Sequence, residues 1–139
     1  MTRTVCRNDR STVIAIDTSA IFAIVLGEPE SQACMVALAA ETRILISAGS
    51  VVECLVVAAR RDLVDETNML LDELGLEVVT VTPAAARRIG DAYQRWGKNM
   101  HSAGLNFGDC FAYEVAKHHG CALLYVGGDF AKTDLASVL

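Results

Sequence analysis

Four acidic residues stand at predicted strand ends or helix starts, where their carboxylates could act together: Asp17, Glu53, Asp109 and Asp129. Asp17 directly follows the apolar run 13–16, and Glu53 stands inside the otherwise apolar run 51–57. A lone carboxylate in such surroundings is costly unless it is paired or binds a metal ion. Because Asp17 and Asp129 each follow a predicted strand, we expect both at the carboxyl edge of the sheet, where ligands bind in open α/β folds.

Several carboxylates at one edge repel one another, and a divalent cation relieves that repulsion. Oxygen ligands without a nearby cluster of histidine or cysteine suit Mg²⁺ or Mn²⁺ better than zinc. The residue types therefore predict a Mg²⁺ site in which Mn²⁺ can substitute.

Each acid also has a purely structural explanation as a helix cap. Asp17 and Asp129 could cap the helices that follow them, and Asp109 could be an N-cap or first-turn residue. Glu53 could close a capping box that begins at Ser50. The apolar context of Asp17 and Glu53 favours a site, but the sequence leaves both explanations open.

The elements that must position these acids alternate in type, which predicts an α/β fold with a central, mostly parallel sheet flanked by helices. Strands are predicted over residues 12–16, 44–46, 77–81 and 121–126. Helices are predicted over 19–26, 29–40, 50–61, 65–74, 83–96 and 108–119. The pair Thr82-Pro83 is a strong helix start, with an N-cap followed by proline in the first turn.

The composition predicts one domain over residues 1–139, with 1–11 as an exposed lead-in. No apolar run approaches the roughly 18 residues that span a bilayer. The five cysteines include no CxxC pair, which predicts reduced, buried thiols in the cytoplasm. The net charge of −5 argues against binding nucleic acid by bulk positive charge, but it allows contact with phosphate through a metal ion.

Two cysteines beside the acids and two aromatic residues of a predicted helix are expected to serve packing. Cys54 and Cys110 each adjoin a site acid, but neighbouring helix residues point about 100° apart. Both thiols should therefore face the core and not act as nucleophiles. Tyr93 and Trp96, at helical spacing, are likewise predicted to be packing residues.

Four segments resemble, in order, the motifs of PIN domains, and the last two closely resemble those of VapC-type toxins. The segments are Ile16-Asp17-Thr18-Ser19-Ala20, Val51-Val52-Glu53, Leu105-Asn106-Phe107-Gly108-Asp109-Cys110-Phe111-Ala112-Tyr113 and Leu123-Leu124-Tyr125-Val126-Gly127-Gly128-Asp129-Phe130. Thr133-Asp134 continues the pattern, so the resemblance covers about residues 13–135.

The resemblance implies a PIN-like fold and a Mg²⁺-dependent endoribonuclease, the toxin of a bacterial toxin–antitoxin pair. Such an enzyme hydrolyses RNA phosphodiesters with a metal-activated water and leaves 5′-phosphate and 3′-hydroxyl ends. The catalytic and metal-binding acids carried over are Asp17, Glu53, Asp109 and Asp129. Asp17 and Asp109 are expected to be the leading ligands, and Asp129 is expected to bind through water or orient the nucleophile.

Two further positions carry expectations from the same resemblance. Ser19 matches the small hydroxyl residue that supports the first acid. Gly127 departs from the pattern, because many PIN domains carry an additional acid there. That departure favours one tightly held ion over two.

The apolar content of the first two helices and of residues 69–71 exceeds what one small core needs. Such surplus predicts either a protein partner, which could be another copy, an antitoxin helix or both, or ordinary burial on two sides of these helices. With the resemblance, it implies a homodimer that binds a cognate antitoxin, takes RNA as substrate and makes no membrane contact.

Two alternatives compete with this interpretation. One is a PIN-like module that has lost catalysis and only binds a protein, although all four matching acids are present. The other is a phosphoacceptor receiver domain, which needs an acidic pair near the first strand and a lysine after the last. Asp17 stands alone and Lys132 comes after Asp129, so the sequence disfavours the receiver.

Overall fold

The structure is a computed structural model that describes residues 12–139. The predicted lead-in 1–11, which includes Cys6, lies outside the described residues. The described chain is built around four strands: β1 (Val13–Ile16), β2 (Arg43–Ser47), β3 (Glu77–Val79) and β4 (Ala122–Leu124). All neighbouring strands pair in parallel, in the order β3-β2-β1-β4, so β1 is central.

Six helices flank this sheet: α1 (Thr18–Val25), α2 (Ser31–Ala39), α3 (Ala48–Arg60), α4 (Val64–Glu73), α5 (Pro83–Trp96) and α6 (Phe107–His119). The predicted α/β fold with a parallel sheet between helices is confirmed. Across residues 12–139, no helix has both the length and the apolar content needed to cross a bilayer.

Alternation along the strands divides the core into two layers. Ile14 and Ile16 pack into a cluster with α1, α2, α3 and α4, whereas Ala15 and Leu45 pack into a second cluster with α5 and α6. Because helices cover both faces of the sheet, β1 reads as a continuous apolar run.

Helix starts follow local capping chemistry, with one prediction corrected. Thr82 caps α5 through a 3.1 Å hydrogen bond from the Ala85 N–H, with Pro83 in the first turn, as predicted. The predicted capping box from Ser50 to Glu53 is wrong. Strand β2 runs directly into α3, so Ser47 ends the strand and also caps the helix.

The remaining boundaries differ by a few residues from the sequence prediction. Helix α2 begins at Ser31 and not at Pro29, and β4 ends at Leu124. The prediction that Asp129 could cap a final helix is wrong, since Asp129 lies in a turn and the described residues after it form no helix. The short strands β1 and β4 therefore bring residues 17 and 125–129 to the same edge.

Candidate active site

Asp17 is fixed at the carboxyl end of the central strand. Its backbone N–H donates to Leu124 O at 3.0 Å, which joins the ends of β1 and β4. Its side chain is the N-cap of α1 and accepts a 3.0 Å hydrogen bond from the Ser19 N–H. Asp17 is only 4% exposed. The capping explanation is thus confirmed for Asp17, and the cap itself holds the carboxylate at the sheet edge.

Asp109 is held in the first turn of α6 by a reciprocal capping box with Asn106. The Asn106 N–H donates to Asp109 Oδ2 at 3.0 Å, and the Asp109 N–H donates to Asn106 Oδ1 at 2.8 Å. The residue is 7% exposed, although a carboxylate on a helix start is usually solvated. Capping and membership of an acidic site therefore coincide here as well.

The two buried acids lie close enough to repel each other and their neighbours. Burial raises the pKa of Asp17 from 3.8 to about 6 against the hydrogen bonds from Ser19, and the charge of Glu53 raises it further. Burial also raises the pKa of Asp109 to about 7 against the hydrogen bond from Asn106, with repulsion from Asp17 and Asp129 adding to the rise. The four predicted acids thus form one electrostatically connected chain.

Glu53 reaches this edge from α3 through a contact that the sequence did not predict. Thr18 Oγ1 donates a 2.8 Å hydrogen bond to Glu53 Oε1, and Cys54 Sγ lies 3.8 Å from the same hydroxyl. The first residue of α1 therefore orients the acid of α3.

Gly108 completes the seat of Glu53. A Cβ placed at Gly108 would collide with the Glu53 carboxylate, so any larger residue here would push that carboxylate from its present position. Since Gly108 immediately precedes Asp109, the missing side chain brings Glu53 beside the first turn that carries Asp109.

The last two predicted site residues lie after β4 and in α1. Asp129 is exposed in its turn, and its charge contributes to the raised pKa of Asp109. Ser19 Oγ accepts a 3.0 Å hydrogen bond from the Val126 N–H. Ser19 thus contacts Asp17 through its backbone and anchors the segment that leads to Asp129 through its hydroxyl.

The donor chemistry of this edge fits a divalent cation. Its four acids offer only oxygen ligands, and none of the three ion pairs among residues 12–139 includes one of them. As the side chains stand, no group of three or more His, Cys, Asp or Glu in the described range is gathered tightly enough to hold a metal ion. Charge repulsion links Asp17 with Glu53, and Asp109 with Asp17 and Asp129, so more than two of the acids could bind one ion only after a side-chain movement.

The neighbouring thiols and aromatic residues serve packing, as predicted. Cys54 and Cys110 are buried, and burial raises their thiol pKa values to about 12 and about 11, so both stay protonated and unreactive. Trp96 is buried and donates from Nε1 to Tyr113 Oη at 2.9 Å.

Sequence reasoning missed Thr18, Gly108 and Asn106 as parts of the site. For Asn106 a signal existed, because Asn three residues before Asp is the spacing of a capping box. For Thr18 and Gly108 the partner is Glu53, which is distant in sequence, so no local pattern could identify them.

The fold and the acidic edge define the class of protein, and the comparisons agree. The sequence model of the PIN domain matches residues 14–135. The chain therefore belongs to the PIN-domain family. This assignment excludes the receiver alternative, which has a different fold.

Relatives place the chain among the VapC-type members of that family. It is 43% identical over 124 residues to the ribonuclease VapC36 of Mycobacterium tuberculosis. The matched region covers 86% of this chain and 89% of the relative. It is 38% identical over 128 residues to the ribonuclease VapC30 of the same species, covering 90% and 98%.

Solved structures share the fold at low sequence identity. The sarcin–ricin-loop-cleaving toxin VapC20 of Mycobacterium tuberculosis matches with a TM-score of 0.71 and 18% identity, over 88% of this chain and 96% of that one. VapBC2 from Rickettsia felis, bound to a DNA fragment from its promoter, matches with a TM-score of 0.67 and 13% identity, over 90% and 96%.

Proposed function

We propose that this chain is a Mg²⁺-dependent endoribonuclease and the toxin of a bacterial toxin–antitoxin pair. The observation that carries the proposal is that Asp17 and Asp109 are buried and repel each other. Neither forms an ion pair with a cationic side chain in the part of the chain that the structure describes. Buried carboxylates left unneutralised by the protein are suited to a metal ion. The relatives named as VapC ribonucleases give this site its reaction class.

In this proposal Asp17 and Asp109 are the leading ligands of the ion, Glu53 follows, and Asp129 orients the attacking water. A bound divalent cation supplies a water of lowered pKa and stabilises charge on phosphoryl oxygens. The helix caps of Asp17 and Asp109 hold both carboxylates in place before substrate arrives, and Thr18 does the same for Glu53.

One ion, with Mn²⁺ able to replace Mg²⁺, suits the residues better than two. The position where many family members carry another acid is Gly127, whose φ is +97°. This backbone conformation strongly favours glycine over aspartate. The backbone at residue 127 therefore suits the glycine found there, and the site has one carboxylate fewer to bind a second ion.

The proposal includes protein partners. Met35 and Val36 on α2, Val52 and Val56 on α3, and Met69 on α4 are exposed apolar residues. Such exposed apolar side chains could bind a cognate antitoxin or a second copy of the chain. Solved structures similar to this chain include a toxin–antitoxin complex from Klebsiella pneumoniae, with a TM-score of 0.66 and 20% identity. We place the protein in the cytoplasm, where its RNA substrate and its reduced thiols belong.

The test is cleavage of total cellular RNA by purified protein freed of antitoxin, in Mg²⁺, Mn²⁺ or EDTA. We expect discrete cuts with either ion and none in EDTA. Asp109→Asn should lower the rate roughly 100-fold or more, beyond the 10- to 100-fold typical of losing a residue that only supports a metal ligand. Asp72→Asn, an exposed acid on α4, is the matched control and should cut like the wild type.

Metal-independent cutting, or full activity of Asp109→Asn, would refute the proposed site. If the folded wild-type protein cuts nothing under any condition, the catalytically inactive protein-binding module replaces the enzyme as the explanation.

A further inference from the structure

A cavity of about 550 Å³ opens between α5 and α6, next to the acidic edge. The buried part of its lining, here called the floor, includes Ile89, and the exposed part, the rim, includes Gly90, Lys98, Asn106 and Phe107. Asn106 connects the cavity with the proposed site, because its N–H donates a hydrogen bond to Asp109 Oδ2. In the proposed function, Asp109 lies next to the scissile phosphate.

We propose that this cavity is a nucleobase subsite, in which an unstacked base of single-stranded RNA next to the scissile phosphate lies against Phe107. The inference rests on the proposed ribonuclease activity and assigns a substrate-binding role to residues outside the acidic edge.

Phe107 supplies the stacking surface. It is 76% exposed, which is more than any other large apolar residue in the described range. The Phe111 ring meets it at 84° with 5.1 Å between centroids, so one neighbour steadies the ring while most of it remains open to solvent. Single-stranded RNA is commonly bound by stacking its bases on exposed aromatic rings of this kind.

Gly90 keeps the cavity open at a cost to the helix. It lies in the middle of α5, where glycine is less stable than alanine. Close packing does not require it, because a Cβ at Gly90 would meet nothing within 4 Å. Gly90 therefore leaves the cavity open at this point, where a larger side chain would take up part of the space.

The charge and polarity of the rim favour a base over an apolar protein side chain. Lys98 places a cation near the cavity, which suits an RNA backbone approaching an otherwise acidic edge. The Asn106 side chain uses its Oδ1 to cap α6, and its amide group can donate to acceptors on a base edge. An apolar floor with donors at the rim matches the flat face and polar edge of a nucleobase.

The experiment uses a fluorescent single-stranded oligoribonucleotide that spans a site cut by the wild-type protein in total RNA. Binding is measured by anisotropy in EDTA, so it does not depend on the metal, and KM is measured separately in Mg²⁺. Phe107→Ala should weaken binding roughly 5- to 150-fold, the range expected for one lost stacking contact, and Phe107→Trp should restore it. Val78→Ala, which alters an exposed apolar residue on β3 far from the cavity in the strand order, should bind like the wild type.

A second variant removes the space and keeps the ring. Gly90→Leu should raise Tm, because leucine is a better helix former than glycine, yet it should weaken RNA binding by filling the cavity. Replacing each nucleotide in turn with an abasic one should weaken wild-type binding at one position next to the cut. The same replacement should have no further effect on Phe107→Ala.

Three outcomes count against the inference, and they are distinguishable. If the wild type cuts RNA but both variants bind it unchanged, the subsite is refuted and the ribonuclease stands. If RNA binding is unchanged while binding of a co-expressed antitoxin weakens, the cavity belongs to a protein partner and the subsite is likewise refuted. If the wild type cuts no RNA, the subsite falls together with the proposed function.

Discussion

Helix α6 carries two buried carboxylates in opposite electrostatic surroundings. Asp109 in its first turn is 7% exposed and is repelled by Asp17 and Asp129. Glu114, five residues later and 5% exposed, accepts a 2.9 Å hydrogen bond from Arg88 Nε in an ion pair. One buried acid is neutralised within the fold and the other is not.

The contrast separates an acid that the fold neutralises from an acid of similar burial that we propose as a metal ligand. A buried charge normally persists only when a partner compensates it. Glu114 has that partner, so its burial serves packing between α5 and α6. Asp109 lacks one among the described ion pairs, so its charged form destabilises the metal-free fold, as expected for the proposed metal ligand.

The largest expected effect is that Asp17, the other buried acid of the acidic edge, and Glu114 contribute to stability with opposite signs. Glu114→Gln leaves Arg88 without its counter-charge and should lower the free energy of unfolding by about 1–3 kcal/mol. Asp17→Asn keeps the helix cap but removes a buried charge, and should raise it by about 1–3 kcal/mol at pH 7.5 in EDTA. Urea denaturation measures both changes.

Asp72→Asn, an exposed acid, is the control and should change stability by less than about 0.5 kcal/mol. The comparison between the two regions fails if Asp17→Asn and Glu114→Gln shift the urea midpoint in the same direction.

The next effect is a pH dependence of stability that arises from the two buried acids of the acidic edge. Asp17 and Asp109 release their protons near pH 6 and 7 when folded, but near 3.8 when unfolded. Between these values the folded chain binds more protons, so the stabilising contribution of the protonated acids is complete below about pH 3.8 and is lost as the pH rises to about 7. Urea midpoints of the metal-free protein from pH 4.5 to 7.5 measure this loss.

The double variant Asp17→Asn/Asp109→Asn should lose this part of the pH dependence. Added Mg²⁺ at pH 7.5 should raise the wild-type midpoint and leave that of the double variant unchanged. Parallel pH curves for the two proteins would contradict the pKa shifts.

The smallest effect on stability is expected at Gly108, the residue of α6 that contacts the Glu53 carboxylate. Gly108→Ala improves helix propensity, but its Cβ would displace the Glu53 carboxylate. We therefore expect a stability change within about 1 kcal/mol and roughly 10-fold slower RNA cleavage. If Gly108 acts through Glu53, adding Gly108→Ala to Glu53→Gln should slow cleavage no further. Additive losses would assign Gly108 some other role.

Much of the fold and part of the site could be predicted from the sequence because their signals are local. The apolar run of β1 ends at Asp17, and the Thr82-Pro83 start of α5 is a property of neighbouring residues. The resemblance to PIN domains brought Glu53 and Asp109 to the same edge, which periodicity alone could not do.

The failures came where a distant contact decides between local alternatives. Ser47 and Ser50 both offer a capping hydroxyl before α3, and the direct passage from β2 selects Ser47. Ser50 with Glu53 has the right spacing for a capping box, but Glu53 instead accepts from Thr18 across 35 positions of chain. Which partner a side chain takes depends on the assembled layers and not on spacing.

The capping box at the start of α6 also links the position of Asp109 to the opening and closing of the helix end. The hydrogen bond that closes the first turn of the helix is the same one that holds Asp109 Oδ2. Whenever this turn frays, Asp109 loses the hydrogen bond that orients it as a proposed ligand, and the bond returns when the turn re-forms. The fraction of time for which the acidic edge exists as a site is therefore set by how rarely one helix end opens.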